Sequence, residues 1–236
     1  MKNQIENLII DKFISEINAD KYKAHEKLYS ENELAQIYNV PRITARKAYE
    51  KLEEMGYIYS KQGKGRYLNG KQQYIELHLS GDKSFSQKMR DTGRALVTQN
   101  ILFEKIHYNK KIYEELGVKN DDEVYKIARL RIIDKKPSAI HLSYLAKSVF
   151  KDIEEKGKDI ESIFNYYELN GYSDFNSCKS VISISFPTSE EREILDCPNL
   201  VPLLIVETNC IDNKSKKVLE YTRIIYRGDT FKYIVT

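Results

Sequence analysis

The chain has 236 residues, 41% of them apolar and 31% charged, with 18 Tyr and 8 Phe, which excludes a disordered polymer and allows one large core or two modest ones. The opening MKNQIENLIIDKF mixes acids into a short apolar pattern, unlike a signal peptide, and no apolar run approaches the roughly 20 residues that span a bilayer, so a cytoplasmic protein with no membrane partner is expected. The net charge of +3 is unevenly held: residues 1–73 carry 13 Lys or Arg against 10 Asp or Glu, whereas the remainder carries 25 of each, pointing to a small basic module joined to a neutral one.

Ile5, Leu8, Ile9, Phe13 and Ile17 recur at helical spacing and predict an opening helix that fades at Asn18. In YSENELAQIY, Ser30 and Glu33 stand in capping-box spacing before a short helix with Leu34, Ile37 and Tyr38 on its inner face. Asn39-Val40-Pro41 interrupts that helix, because Pro disfavours helical backbone in the residue before it. A third helix follows over about 42–55, with Ala45, Ala48, Leu52 and Met55 on one side and Gly56 as its stop. Two β-like segments at 57–60 and 66–68 flank Lys61-Gln62-Gly63-Lys64-Gly65, whose glycines suit a hairpin with unusual backbone angles. Three helices and a basic hairpin make a winged helix-turn-helix over residues 1–69, and residues 70–76 read as a polar linker.

Residues 77–236 read as an α+β domain. Ser84 and Gln87 mark a helix start with Gly93 as its stop, 108–116 is helical up to Gly117, and 123–134 alternates as a strand that turns at Lys135-Lys136-Pro137 into 138–145. Helices near 150–170 precede strands at 177–185, 203–212 and 217–227, so the sheet is expected to be mostly antiparallel with flanking helices. Cys178, Cys197 and Cys210 are odd in number and widely spaced, which fits buried thiols in a reducing compartment better than a disulfide framework.

The third helix carries its charges the wrong way round. Arg42, Arg46 and Lys47 crowd its N-terminal end, where the helix dipole repels cations, and Glu50, Glu53 and Glu54 sit at its back. An external anion offsets that cost, and in a helix-turn-helix the front of the second motif helix enters the major groove of duplex DNA. Arg42 and Arg46 share one face, with Ile43 outward beside them, able to touch a thymine methyl or simply to tolerate exposure. The plainer alternative is a set of surface cations held by pairs such as Arg46 with Glu50. Gly63-Lys64-Gly65 with Arg66 suits close backbone approach to a groove or phosphate, and it is no P-loop because the spacing is wrong and no helix follows.

Arg129 and Arg131 alternate on a strand and so share one face, an arrangement that calls for a bridging anion or neutralising acids. Ser84-Phe85-Ser86 opens a helix whose free N–H groups favour an anion, and together they suggest an anion pocket. Arginines on a solvated face and a simple Ser cap are the alternative. The four histidines are scattered without metal-ligand spacing, no nucleophile elbow or Cys/His pair is present, and neither a catalytic residue nor a cofactor is implied.

These stretches resemble a known family. Ser30-Glu31-Asn32-Glu33-Leu34-Ala35, Arg42-Ile43-Thr44-Ala45-Arg46-Lys47-Ala48, Leu52-Glu53-Glu54-Met55-Gly56-Tyr57-Ile58 and Gln62-Gly63-Lys64-Gly65 look like the DNA-binding domain of GntR-family regulators. The resemblance implies a homodimer on an inverted-repeat operator, with Ser30, Arg42, Thr44, Arg46 and Lys47 at the DNA and Gly65 at the wing tip. Tyr29 and Pro41 stand where the family usually has Pro and Ser, and Asn32 stands where an Arg often reaches DNA, so a different base preference is expected. Residues 74–236 resemble the UTRA ligand-binding domain of the HutC branch, similar in fold to chorismate lyase, through Ser84-Phe85-Ser86-Gln87, Val124-Tyr125-Lys126-Ile127-Ala128-Arg129-Leu130-Arg131, Ser143-Tyr144-Leu145, Ser162-Ile163-Phe164 and Glu220-Tyr221-Thr222-Arg223. This implies a small anionic effector, of which a sugar phosphate is one type, at Ser84, Phe85, Ser86, Arg129, Arg131, Ser162, Phe164, Glu220 and Tyr226. His141 stands where sugar-phosphate-responsive relatives carry Glu. The expected activity is effector-controlled repression; an activator, an effector-independent DNA binder and a lyase-like enzyme are the alternatives.

Overall fold

The computed structural model describes residues 2–70, 74–78 and 83–234. The chain divides into two units, residues 1–74 with 186–202, and residues 75–185 with 203–236. Residues 186–202, which the sequence places in the C-terminal domain, thus group with the first unit. The expected linker is partly outside the described residues, and Ile75 already begins a strand.

The first unit starts with α1 (Lys2–Asn18), α2 (Glu31–Ile37) and α3 (Arg42–Glu54), followed by β1 (Ile58–Lys61) and β2 (Gly65–Leu68). Its core joins Ile9, Phe13, Leu34, Ala45, Ala48, Leu52 and Ile58. The small Ala45 and Ala48 let α3 lie close to its neighbours, and both are fully buried. Ile5 and Leu8, expected inside, are exposed, while Ile10 is buried. The apolar positions of α1 cover more than one face: Ile9, Ile10 and Phe13 are buried in the core and Ile14 and Ile17 pack partly against it. Ile37 is likewise exposed, and Ala35 takes the inner position on α2. The hairpin pairs Ile58 with Leu68 and Lys61 with Gly65. Gly63 and Gly65 hold φ of 70° and 106°, backbone that side chains rarely adopt.

The second unit runs β3 (Ile75–His78), α4 (Phe85–Asp91), β4 (Leu96–Lys105), α5 (Lys110–Leu116), β5 (Val124–Ile133), β6 (Lys136–Ala146), α6 (Ile153–Lys156), α7 (Ile163–Leu169), β7 (Phe175–Ser185), β8 (Leu203–Asp212), β9 (Val218–Arg227) and β10 (Phe231–Ile234). Six strands form one sheet in the order β4-β5-β6-β9-β8-β7, antiparallel throughout. β3 and β10 form a separate parallel pair. β4, β3 and β10 had no counterpart in the sequence reading. In β4 a register shift between Asn100 and Leu102 breaks the alternation that marks a strand. Between β7 and β8 the chain returns to the first unit, where α8 (Ser189–Leu195) forms and, just after it, the Leu200 amide donates to the Glu54 carbonyl at the end of α3, 2.9 Å away.

Two apolar clusters occupy one face of the large sheet. Tyr125, Ile127, Leu145, Tyr167 and Leu219 belong to one; Ile133, Ala139, Val206, Tyr226 and Phe231 belong to the other. Along β5 the residues between Ile127 and Ile133 on that face are Arg129 and Arg131. Cys197 and Cys210 are buried; the side chain of Cys178 lies outside the described residues. Among the described residues no helix is long and apolar enough to cross a membrane.

Candidate functional site

On the first unit, a capping box sets the start of α2: the Glu33 amide donates to Ser30 Oγ at 3.2 Å and the Ser30 amide donates to Glu33 Oε2 at 2.7 Å. That places Asn32 exposed in the first turn of α2. At the front of α3, Arg42, Ile43, Arg46 and Lys47 are all exposed on its outer side, Ile43 with 56% of its surface in solvent. Thr44 does not join them; two positions on from Arg42 it has turned inward beside Ala45 and is buried. Arg46 Nε donates to Glu50 Oε1 at 2.7 Å, and Arg42 Nε donates to Glu31 Oε2 at 2.9 Å. The Arg46–Glu50 pair is exposed on both sides and contributes little to stability, so an incoming phosphate or base can replace its acid, whereas Glu31 is largely buried.

Arg66 departs from the sequence expectation. At the start of β2 its side chain folds back on the helices, with Nη1 donating to Glu31 Oε1 at 2.7 Å and the guanidinium 5.1 Å from the Tyr49 ring centre. It ties the hairpin to α2 and α3 rather than facing outward. The Arg66 hydrogen bond, then that of Arg42, hold the Glu31 carboxyl below the usual carboxylate range, against the opposing effect of its burial. Lys64 stands exposed between Gly63 and Gly65. Tyr59 and Tyr67, which no motif marks, stack their rings 5.8 Å apart with the Lys61 ammonium 5.5 and 4.7 Å from their centres. The signal was available: opposed tyrosines in both arms of a short hairpin.

In the second unit, one pocket of about 130 Å³ gathers all ten residues singled out from the sequence: Ser84, Phe85, Ser86, Arg129, Arg131, His141, Ser162, Phe164, Glu220 and Tyr226. Strand pairing explains the convergence. Arg129 lies opposite His141 and Arg131 opposite Ala139, which pairs in turn with Tyr226. Period-two alternation then puts Glu220, Thr222, Ile224 and Tyr226 of β9 on the same face. Ser84 caps α4 and Ser162 caps α7, each accepting from an amide three residues on. The reciprocal bond, in which Gln87 Oε1 would accept from the Ser84 amide, does not form; that oxygen accepts instead from Arg90 Nη2 at 2.6 Å. Thr208, Thr222, Val206, Ile224, Ser177, Ser180 and Tyr233 also line the pocket and were not foreseen.

The electrostatics of this pocket are unbalanced. Arg129 and Arg131 are 1% and 3% exposed. Arg129 donates to Ser143 Oγ, and its nearest carboxylate oxygen, Glu220 Oε1, is 3.9 Å away. Arg131 donates to Thr98 Oγ1 at 2.5 Å and to the Glu161 carbonyl at 3.2 Å. Nε and Nη1 of Arg129, Nε of Arg131, Nε2 of His141 and Oε1 of Glu220 have no hydrogen-bond partner. Burial, and after it the neighbouring Arg129, push the Arg131 guanidinium down to about 9; burial also lowers Arg129. Two buried cations facing one carboxylate leave a positive excess, and donors without acceptors are costly in a low-dielectric site. A small anion satisfies both deficits.

Residues 91–232 match the UTRA domain, and residues 6–68 match the bacterial regulatory proteins of the gntR family. The chain belongs to the GntR family and carries a UTRA domain. It is 24% identical over 227 residues to the HTH-type transcriptional repressor NagR of Bacillus subtilis (strain 168), covering 96% of this chain and 91% of that protein. To the HTH-type transcriptional regulator TreR of the same organism it is 26% identical over 234 residues, covering 95% and 96%. Among solved structures, PhnF from Mycobacterium smegmatis shares the fold with a TM-score of 0.64 at 17% identity, covering 94% of this chain and 97% of that one. This GntR-family chain is thus a transcription regulator with a DNA-binding domain and an effector-binding domain, and its relatives are regulators rather than enzymes.

Proposed function

We propose that the chain is a repressor that binds an inverted-repeat operator as a homodimer and releases it when a small anionic metabolite, such as a sugar phosphate, enters the pocket. Arg42, Ile43, Arg46 and Lys47 of α3 read the major groove, Ser30 and Asn32 approach from α2, and Lys64 with its flanking glycines meets the adjacent backbone. Thr44 and Arg66 hold the reading surface in shape. In the pocket, Arg129 and Arg131 take the anionic group with help from the Ser84–Ser86 segment, while Glu220 Oε1 accepts from a hydroxyl. The observation that carries the reading is the set of partnerless guanidinium nitrogens at the base of a pocket in an effector-binding domain. The name of the NagR relative supports repression. Two winged modules in a two-fold dimer match half-sites related by the same axis. Control requires the effector to bind the operator-incompatible arrangement more tightly, and reciprocity then makes operator weaken effector by the same factor.

The test is selection of duplexes from a randomised pool by the full chain, followed by binding of the enriched site to Arg46→Ala. An enriched palindromic site that Arg46→Ala no longer prefers over random duplex is the expected result. Wild-type affinity in that variant, or no enrichment at low salt, defeats the assignment.

A further inference from the structure

His141 stands on β6 and lines the same pocket as Arg129 and Arg131. Its register partner on β5 is Arg129, which makes the ring and that guanidinium cross-strand neighbours on one face. The imidazole meets the Phe85 ring edge-on at 4.7 Å and the Tyr226 ring at 5.7 Å, and the Arg131 guanidinium lies 5.6 Å from the same Phe85 ring. Three nitrogen-bearing side chains, each more than nine-tenths buried, therefore converge at one end of the pocket. All three keep a buried nitrogen without a partner: Nε2 of His141, Nε and Nη1 of Arg129, and Nε of Arg131. Acceptors are scarce. Among the described lining residues Glu220 is the one carboxylate, and its Oε2 already accepts from the Tyr167 hydroxyl at 2.5 Å.

We propose that His141 is a specificity-determining residue that gives a tetrahedral dianion a third nitrogen contact beside Arg129 and Arg131. The proposal rests on the anion-pocket reading above. The chemical class is a phosphate monoester, a phosphonate or a sulfate, whose several oxygens can meet three side chains at once. A planar carboxylate offers two oxygens, and a cationic amine placed at the ring would face two buried guanidiniums against the single Glu220 carboxylate among the described lining residues.

The third contact is coupled to a proton. Among the described residues, the titratable groups that line the pocket with the ring are Arg129 and Arg131 from β5, Glu220 and Tyr226 from β9, Cys210 from β8, Lys83 and Lys88 on or beside α4, and Tyr233 from β10. Lys83 is paired with Asp91 at 2.8 Å, outside this balance. Burial first, then Arg131 and Arg129, hold the imidazole well below its usual range in the ligand-free pocket, so it is neutral. A dianion reverses the local field and raises the ring's proton affinity in the complex. Affinity for the dianion therefore rises as pH falls through the complex value, and levels off once the free ring is also protonated.

Inorganic sulfate is the probe, because it keeps both charges over the whole range and its binding reports only the protein's proton. The experiment titrates full-length protein with sulfate by calorimetry from about pH 8 to about pH 5.5, spanning the usual histidine range. Wild-type affinity is expected to rise by up to about tenfold per pH unit, the limit for one linked proton. His141→Gln should bind more weakly at the acid end and lose the slope, and His141→Glu should bind weakest, because its carboxylate cancels the positive excess. Should His141→Gln fold poorly in a denaturation check, His141→Asn serves for the same readout. Acetate should bind the wild type far more weakly than sulfate. A His141→Gln protein with wild-type affinity and slope overturns the inference while leaving the anion pocket standing. No saturable sulfate binding by wild type, or binding that Arg131→Met leaves intact, overturns the pocket reading and this inference with it.

Discussion

The two arginine pairs of this molecule live in opposite environments. On α3, the side chains of Arg42 and Arg46 are 69% and 57% exposed, and each has a carboxylate oxygen within 2.9 Å. On β5, Arg129 and Arg131 are almost wholly buried, and the nearer carboxylate stands 3.9 Å from one of them. The same guanidinium chemistry thus serves two purposes. In water the charge is screened and its local acid is exchangeable, so the helix stays stable while remaining ready for a polyanion. Inside the domain the desolvation cost is already incurred, so a matching anion gains nearly the full interaction.

Stability measurements can break this contrast. Arg129→Met should show the largest loss, about 3 kcal/mol in urea denaturation, because it removes the cation nearest the buried Glu220 carboxylate, whose Oε1 has no hydrogen-bond partner. Arg131→Met, equally buried, should leave ligand-free stability within about 1 kcal/mol or raise it, since it removes a desolvated like charge next to Arg129. Equal losses in the two variants would show that burial alone, without regard to partners, governs the cost.

A smaller effect is expected at the bridge between the two environments. Glu31 accepts from Arg66 and Arg42, and its folded-state carboxyl titrates below its unfolded one. Its contribution is present above the unfolded value of about 4.3 and is lost as pH falls through the lower folded value. The acid limb of a stability–pH profile should therefore be shallower in Glu31→Gln, and an unchanged limb would remove Glu31 from that role. The smallest effect belongs to Arg46→Ala, whose denaturation midpoint should match wild type; a clear drop would mean that Arg46 supports the helix itself.

Much of the site was legible because its signals are local. Ser30 with Glu33, the Gly63 and Gly65 pair and the front-loaded cations of α3 each involve residues a few positions apart. The shared face of Arg129 and Arg131 follows from strand alternation alone. Other features depend on distant neighbours. Arg66 reads as one more basic hairpin residue until Glu31 and Tyr49 are brought against it. Thr44 belongs to a basic stretch in sequence and to the core in space. Thr208, Thr222 and Ile224 carry no motif and enter the pocket only through the register of β8 and β9. β4 escaped notice because its bulge disrupts the alternating pattern, and β3 needs β10, at the other end of its unit, to be a strand at all.

By itself, then, the sequence determined the periodicities, the caps, the turn backbone and which side chains share a face, since these depend on rotation per residue and on neighbours a few bonds away. Tertiary structure alone decided which polar atoms lose water without gaining a partner. That outcome depends on which strands lie side by side and what covers them, and at Arg129, Arg131 and His141 it leaves buried nitrogens without an acceptor.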